Sequence, residues 1–235
     1  MKKIMFSSMG VLFLLALAAF NRPGAELLQG ALSRQEAGQT DYILMKDGYL
    51  MHATYRGKTF LHSRGGTFTN TEDQIVLKIE FDTEDKEQVG TTMNIQYSKD
   101  RSAFYLNGNK WDMTDDGKGD LAGNWRITGR KQGEEMVPMN PGSRKTLKLL
   151  SGKRFQWAAI NTQTGEFFGT GGGTYTFKDG KYTENIEFFS RDSSRVGASL
   201  SFDGKVNGNE WTHSGLSSKG DPIHEIWTRE SPMDN

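Results

Sequence analysis

The sequence predicts an all-β protein built from two related antiparallel units, and three observations carry that prediction. Short segments alternate apolar and polar residues with a period of two, as strands of a one-sided sheet do. Gly occurs 28 times and Pro only 5 times, beside 14 Phe, 7 Tyr and 5 Trp, which suits aromatic strands joined by tight glycine turns. The third observation is an internal repeat.

Residues 1–18 have the three parts of a signal peptide. Lys2 and Lys3 supply positive charge, residues 11–17 form an apolar segment, and Ala16-Leu17-Ala18 is a small-x-small cleavage site. The alternative, an uncleaved anchor, is less favoured because Ser and Gly interrupt an apolar run shorter than the ~20 residues that span a bilayer. We therefore expect a mature chain that is secreted or periplasmic and has no transmembrane span.

The charge balance and the lack of cysteine exclude several classes of partner and chemistry. Lys plus Arg and Asp plus Glu both number 29, so no net charge attracts nucleic acid or an anionic membrane surface. No Cys is present, which excludes disulfides, a thiol nucleophile and the cysteine-linked lipid of bacterial lipoproteins. The fold must then be held by its apolar core.

An internal repeat relates the two halves of the chain. Three segments recur at one spacing, since 172 minus 65, 186 minus 79 and 196 minus 89 are all 107. The matches are Gly65-Gly66-Thr67-Phe68-Thr69 with Gly172-Gly173-Thr174-Tyr175-Thr176, Ile79-Glu80-Phe81 with Ile186-Glu187-Phe188, and Val89-Gly90 with Val196-Gly197. A register held over about 25 residues indicates duplicated structural units.

A later match bears on where the units end. Asn107-Gly108-Asn109-Lys110-Trp111 recurs as Asn207-Gly208-Asn209-Glu210-Trp211, and 207 minus 107 is 100. The smaller spacing predicts that the second copy lost seven residues from a hairpin, where such losses are tolerated. The predicted units are residues 26–118 and 119–230, joined by the polar segment from Asp115 to Asp120.

Turn signals divide the second unit into eight predicted strands. These begin near Trp125, Leu147, Phe155, Phe167, Tyr182, Val196, Trp211 and Ile223. In the first unit, one face of a predicted strand carries the apolar residues Ile75, Leu77, Ile79 and Phe81. The other face is expected to be exposed to solvent. Short strands in sequence order, with no helical segment long enough to cross over, predict an up-and-down barrel or a sandwich.

The ends of the second unit resemble a known barrel superfamily. Its first strand begins Leu121-Ala122-Gly123-Asn124-Trp125, with a Gly-x-Trp, and its last strand ends Glu225-Ile226-Trp227-Thr228-Arg229. In the lipocalin superfamily a Gly-x-Trp opens the barrel and a late basic residue packs over that tryptophan. Residues 119–230 are similar to secreted bacterial lipocalin-like (calycin-type) domains of unknown function. The resemblance implies an antiparallel barrel in which Arg229 packs over Trp125.

The first lipocalin-like unit departs from this pattern. Leu28-Gln29-Gly30-Ala31-Leu32 stands where the Gly-x-Trp segment would be, and no segment after Trp111 corresponds to residues 223–229. The tryptophan is therefore missing, and we expect the unit to lack a closing strand. Three alternatives stay open: an open barrel, a degenerate barrel, or one completed by pairing with the second unit, which would cover an exposed edge.

Catalytic signatures are weak. Only a serine could act as nucleophile, and the sequence has no Gly-x-Ser-x-Gly elbow. Gly171-Gly172-Gly173 lacks the strand-to-helix context of a phosphate loop and predicts a tight turn or close backbone packing. Glu80 and Glu187 occupy equivalent positions, but alternation puts them on the solvated face. We therefore expect a protein that is not an enzyme, and no cofactor is implied.

Four polar residues, Glu184, His213, Glu225 and Arg229, fall on predicted apolar faces of the second unit. A buried carboxylate requires a partner, and Arg229 is the candidate. Two interpretations stay open: a salt-bridged plug that fills a narrow barrel, with Arg229 also stacked on Trp125, or a polar anchor at the floor of a ligand pocket. A metal site made of the two glutamates and His213 has suitable ligand types but no diagnostic spacing.

The predicted ligand-binding residues combine these polar groups with aromatic walls. They are Trp125, Trp157, Tyr175, Glu184, Phe188, His213, Glu225, Trp227 and Arg229. The leading hypothesis is an exported binding protein for a small, largely apolar ligand. The alternative is a non-enzymatic structural or interaction module that contacts another protein of the cell envelope. An enzyme acting on an external saccharide or lipid has the least support.

Overall fold

A computed structural model describes residues 26–100, 103–217 and 219–230. The predicted signal peptide, residues 1–18, lies outside these ranges. The described chain confirms the predicted fold class, because it forms two closed, eight-stranded antiparallel barrels in tandem.

Barrel one follows the sequence order of its strands and closes by pairing the first with the last. Its strands are β1 Gly30–Glu36, β2 Gln39–Lys46, β3 Tyr49–Arg56, β4 Thr59–Asn70, β5 Gln74–Asp82, β6 Thr92–Asp100, β7 Ala103–Leu106 and β8 Asn109–Asp115, with a 3-10 helix at Lys86–Gln88. Its interior is packed with apolar side chains that include Leu32, Leu77 and Trp111.

Barrel two repeats this topology and adds one short hairpin. Its strands are β9 Gly123–Gln132, β10 Glu135–Pro138, β11 Arg144–Leu150, β12 Arg154–Asn161, β13 Glu166–Lys178, β14 Lys181–Phe189, β15 Ser199–Asn207, β16 Glu210–Leu216 and β17 Pro222–Arg229, with a 3-10 helix at Ser193–Arg195. The barrel closes through β9 and β17, while β10 pairs only with the far end of β9.

The expectation that the first unit lacks a closing strand is wrong, because β8 closes it. The error came from the second sequence match. Asn107 lies in the turn between the seventh and eighth strands of barrel one, whereas Asn207 ends the sixth strand of barrel two, at the turn into the seventh. The two similar segments therefore belong to different hairpins, and no seven-residue deletion separates them.

The original spacing of 107 instead continues into the seventh strand of each barrel. Phe104 corresponds to Trp211, since 211 minus 104 is 107, and each residue pairs across to the closing strand. Phe104 faces Trp111 and Trp211 faces Trp227. Trp111 is therefore the counterpart of Trp227, and it lies on the closing strand that the sequence comparison did not identify.

The repeated glycine pair marks a β-bulge in each barrel. Gly66 and Gly65 pair with Ile79 and Phe81, so Glu80 is an extra residue in β5. The same register shift leaves Glu187 extra in β14. A Cβ atom on Gly66 or its counterpart Gly173 would overlap a backbone carbonyl oxygen of the neighbouring strand, so the expected close backbone packing is present here.

These bulges change which way the following side chains point. An extra residue breaks the period-two alternation of a strand, so Phe81 and Phe188 turn out of their barrels and pack between them. Phe60 stacks on Phe188 with ring centroids 6.1 Å apart, and Phe81 stacks on Phe167 at 6.2 Å. Both 167 minus 60 and 188 minus 81 are 107, so the two stacks are equivalent contacts from opposite barrels.

The two barrels share one buried apolar core at this junction. Its members from barrel one are Ala31, Tyr42, Leu44, Tyr49, Met51, Ala53, Tyr55 and Phe81, and those from barrel two are Leu147, Leu149, Ala158, Ile160 and Phe188. All of them are buried. Since these side chains leave the barrel interiors and meet one another, the barrels pack as a single body.

The bulged glutamates also lie at the junction, so the prediction that they are solvated is wrong. Glu80 accepts a 2.7 Å hydrogen bond from Tyr49 and pairs with Lys145 of barrel two at 2.9 Å. Glu187 accepts one of 2.7 Å from Tyr55 of barrel one and pairs with Arg154 at 2.8 Å. Each glutamate thus joins its own barrel to the other.

Candidate functional site

Barrel two contains a cavity of about 670 Å³, within the size range of small-molecule sites. It lies inside the barrel and is lined by residues of all eight strands that close it, β9 and β11 to β17. Aromatic and aliphatic side chains form most of the wall, namely Ile127, Trp157, Ala159, Phe168, Ile186, Phe189, Leu200, Phe202, Ile223 and Trp227. Charged side chains lie at its floor and around its mouth.

A buried ion pair forms the floor. Lys148 Nζ lies 2.7 Å from Glu184 Oε1, and their side chains are only 7% and 6% exposed. Four aromatic rings surround the ammonium group, with centroids between 5.2 and 5.9 Å from Nζ; they belong to Phe155, Tyr182, Trp211 and Trp227. Aromatic faces attract a cation, so these rings surround the ammonium group with favourable contacts in addition to its pairing with Glu184.

Sequence reasoning missed Lys148, although it identified Glu184 as inward-facing. The signal was a single lysine inside the apolar segment Leu147-Lys148-Leu149-Leu150. Leu147 and Leu149 face the junction with barrel one, so Lys148 on the alternate face must point into barrel two.

Barrel one shows that this ion pair is not required by the fold. Leu77 corresponds to Glu184, since 184 minus 77 is 107. Ile43 likewise corresponds to Lys148. Across neighbouring strands, Ile43 lies opposite His52 and His52 opposite Arg64, while Lys148 lies opposite Trp157 and Trp157 opposite Gly171. Arg64 and Gly171 are again 107 positions apart. Apolar residues therefore fill the same two positions of the sister barrel. A buried ion pair usually adds little stability over such residues.

His213 lies beside the ion pair with its hydrogen-bonding capacity unused. The residue is 2% exposed and contributes to the cavity wall. Nδ1 lies 3.5 Å from Glu225 Oε2, and among the described residues neither ring nitrogen makes a hydrogen bond. Burial lowers the pKa of His213, and the charge of Lys148 lowers it further, against the opposing contact with Glu225. The imidazole is therefore neutral near pH 7.

Glu225 is ionised and held by its own partners. Arg130 lies 2.7 Å from Oε1, and the Trp227 indole donates to Oε2 at 3.2 Å. Burial acts to raise the pKa of Glu225, but the contact with His213 and the charges of Lys148 and Arg130 lower it to about 2. The floor thus contains two charge pairs and no net charge.

Arg229 does not neutralise either glutamate, so that prediction is wrong. Its guanidinium lies 4.3 Å from the centroid of the Trp125 ring, which confirms the predicted stacking. It also donates to the carbonyl oxygen of Ala122 at 2.8 Å and pairs with Asp47 of barrel one at 3.2 Å. Arg229 follows Trp227 on β17 and therefore lies beyond the cavity floor, towards barrel one.

The structure separates the predicted ligand-binding residues into three groups. Five line the cavity: Trp157, Glu184, His213, Glu225 and Trp227. Trp125, Tyr175 and Arg229 lie below it, where Trp125 and Tyr175 are part of the packed core. Phe188 was assigned wrongly, because the bulge at Glu187 turns it towards barrel one. Phe189 takes its place in the cavity wall, 5.4 Å from Trp157.

Positive charge surrounds the mouth. The cavity is lined by five cationic residues, Arg130, Lys131, Arg144, Lys148 and Arg191, and by three anionic ones, Glu184, Asp221 and Glu225. The difference, five minus three, gives the whole cavity a net charge of plus two, and the two floor pairs add nothing to it. Within the described ranges, Arg144 and Arg191 form no ion pair. Arg144 packs over the Phe168 ring at 4.4 Å.

Residues 120–234 match the family model of a domain of unknown function, DUF4488. The match covers barrel two with its cavity and leaves barrel one outside. No curated protein matches the chain. In the part of the chain that the structure describes, no helix is long and apolar enough to cross a membrane. The same residues contain no group of three His, Asp or Glu side chains placed to hold a metal ion.

Barrel one, outside the DUF4488 match, has a smaller pocket of about 190 Å³ at the corresponding position. Arg64 contributes to its wall where barrel two has Gly171, which explains part of the difference in volume. Two of its polar lining residues pair with carboxylates outside the lining: Arg64 with Asp82 at 3.1 Å and His52 with Asp41 at 3.2 Å. The pocket of barrel two, with its larger volume and its buried ion pair, is therefore the candidate site.

Proposed function

We propose that the protein is an exported, lipocalin-like binding protein whose DUF4488 barrel takes up a small, largely apolar ligand. One observation carries the proposal: the cavity of about 670 Å³ has an apolar wall and a buried polar floor that barrel one replaces with Ile43 and Leu77. Since the fold closes without this ion pair, a ligand that binds to it would explain why barrel two contains one.

The wall favours an apolar ligand. Trp157 and Phe189 present aromatic surface on one side, and Leu200 and Phe202 lie among the other wall residues. Burial of apolar surface gains roughly 25 cal/mol per Å², so a hydrocarbon body placed against these side chains would supply most of the binding free energy.

Binding is favoured over catalysis by the pairing of the acidic groups. Glu184 is held by Lys148 and Glu225 by Arg130, so each carboxylate already has a fixed cationic partner. A carboxylate already bound to a cation suits orientation of a ligand more than uptake of a proton from it.

Two features support the lipocalin-like and exported parts of the proposal. The Gly-x-Trp at residues 123–125 opens barrel two, and Arg229 stacks on Trp125 as in the lipocalin superfamily. The charged, apolar and small-residue parts of residues 1–18 support export. Intact-mass measurement of protein recovered from the periplasm or medium should give a chain that begins at Ala19.

Native mass spectrometry of protein isolated from its own cells, with displacement of the fluorescent dye anilinonaphthalene sulfonate, tests the binding proposal. We expect a bound small molecule that is lost on denaturation, and one dye molecule displaced per chain by an apolar competitor. Protein that carries no ligand and shows no displaceable dye would overturn the proposal and favour the alternative, an interaction module of the cell envelope.

A further inference from the structure

We infer that the ligand of barrel two has two polar ends: a neutral hydroxyl group that binds at the floor and a carboxylate that binds at the mouth. This inference rests on the proposed function and specifies the class of ligand. It depends on how charge and unused hydrogen-bonding groups are distributed along the cavity.

The floor suits a neutral group. Its charges cancel, because Lys148 pairs with Glu184 and Arg130 with Glu225. A carboxylate placed there would lie beside two other carboxylates in a region of low dielectric, where like charges repel strongly. An anionic head group is therefore disfavoured at this end of the cavity.

The floor nevertheless has hydrogen bonds to offer. Among the described residues, neither ring nitrogen of His213 makes a hydrogen bond, although Nδ1 lies 3.5 Å from Glu225 Oε2. Within the same ranges Lys148 donates one hydrogen bond, to Glu184, out of three possible. A hydroxyl both donates and accepts. It can therefore accept from Lys148 and donate to the unprotonated ring nitrogen of His213 at the same time.

The mouth suits an anion. Arg144 and Arg191 both face the cavity and have no acidic partner in the described part of the chain. The stem of Arg191 packs against β13, where a Cβ atom on Gly169 would lie 2.9 Å from its Cδ. Phe168 supports the Arg144 guanidinium. A guanidinium group matches a carboxylate through two parallel hydrogen bonds, so either arginine offers a site for the anionic end of a ligand.

The spacing of the two ends sets the length of the ligand. Arg144, Thr146 and Lys148 occupy alternate positions of β11 and all line the cavity. Four residues of an extended strand span ~13 Å. A hydrocarbon chain of medium length, with a hydroxyl at one end and a carboxylate at the other, can therefore reach both sites.

Three matched compounds test this inference on the full mature chain: ω-hydroxylaurate, laurate and lauryl alcohol, titrated by calorimetry below their micellar concentrations. ω-Hydroxylaurate should bind about tenfold more tightly than laurate, which lacks the hydroxyl, and than lauryl alcohol, which lacks the carboxylate. Equal affinities for the three compounds would overturn the inference.

Two variants test which residues bind each polar end of the ligand. Arg144→Gln with Arg191→Gln should weaken both carboxylates about tenfold and leave lauryl alcohol unchanged. His213→Leu introduces the residue that barrel one has at the corresponding position, Leu106. It should weaken binding of the two hydroxyl compounds and leave binding of laurate unchanged. Lys110→Gln with Lys205→Gln is the control, because it removes the same charge from exposed positions away from the cavity.

The outcomes separate this inference from the proposed function. If all three compounds displace the dye equally and no variant discriminates among them, barrel two binds apolar ligands but the two-ended ligand is wrong. If none of the three displaces the dye, the proposed function fails and the inference fails with it.

Discussion

Lys148 and Glu184 form a buried ion pair in barrel two at the positions that Ile43 and Leu77 occupy in barrel one. The chain therefore contains its own comparison between a polar and an apolar version of one barrel floor. Since both barrels close with the same topology, closure of the barrel does not require the ion pair.

The first prediction concerns replacement of the ion pair of barrel two by the apolar residue types of barrel one. Lys148→Ile alone should lower the free energy of unfolding by ~3 to 5 kcal/mol, because it leaves the Glu184 carboxylate buried without its partner. Lys148→Ile with Glu184→Leu should regain most of that loss, since apolar residues of similar volume often replace a buried ion pair without cost. Urea unfolding measures both. A double variant no more stable than the single one would show that the pair is structural.

The second prediction concerns the opposite end of barrel two. Arg229→Ala should cost about 2 kcal/mol, because the stacking on Trp125 and the hydrogen bond to the Ala122 carbonyl are lost. Adding Glu184→Gln and Glu225→Gln should not restore stability, since Arg229 contacts neither glutamate. Chemical denaturation of the single and triple variants checks this. Rescue by the glutamine changes would place Arg229 in the charge cluster after all.

The third prediction concerns pH. Burial lowers the folded-state pKa of His213, and of His62 in barrel one, below the ordinary value of 6.5. Below pH 6.5 the unfolded chain then binds more protons than the folded chain, so stability should fall as the pH drops from about 7 to about 5. His213→Leu should remove part of this slope.

Thermal unfolding at several pH values between about 5 and about 7 measures the slope. This pH range stays above 4.5, the ordinary pKa of Glu225. The double variant His213→Leu with His62→Gln should be nearly independent of pH there. If the stability of the double variant depended on pH as strongly as that of the unaltered chain, other groups would be responsible for the pH dependence.

The fourth prediction concerns the junction between the barrels. Phe188→Ala should cost ~3 to 5 kcal/mol, because a buried aromatic leaves a cavity when it is removed. The shared core should make both barrels lose hydrogen-exchange protection together, although the substitution lies in barrel two. Phe177→Ala is a control, because Phe177 packs against the barrel-two core alone. Loss of protection confined to barrel two in the Phe188 variant would show that the barrels unfold separately.

Much of the fold could be predicted because its determinants are local. Period-two alternation and glycine turns identified the eight strands that close barrel two, but not the short β10. The spacing of 107 identified the duplication. The bulges escaped prediction because an extra residue such as Glu187 has no signature in alternation. Its effect, which turns Phe188 out and Phe189 in, depends on pairing with Gly172 and Gly173.

The site was predicted only in part, for a related reason. Alternation placed Glu184 and His213 inside the barrel, but it could not show which cation would meet them. Arg229 was chosen because it lies on the same strand face as Glu225, whereas the cations that meet the glutamates are Lys148 and Arg130 of other strands. Pairing between distant strands is a tertiary property that one strand's sequence does not contain.

The most direct test of the account is a dye titration of a variant in which the cavity is filled. Ala159 lines the cavity, so Ala159→Trp should abolish binding of anilinonaphthalene sulfonate while the chain keeps its β-sheet circular dichroism and its cooperative unfolding. Asn185→Trp, at an exposed position of β14, should bind the dye like the unaltered chain. Equal dye binding by the Ala159 and Asn185 variants, at one molecule per chain, would contradict the claim that barrel two is the binding site.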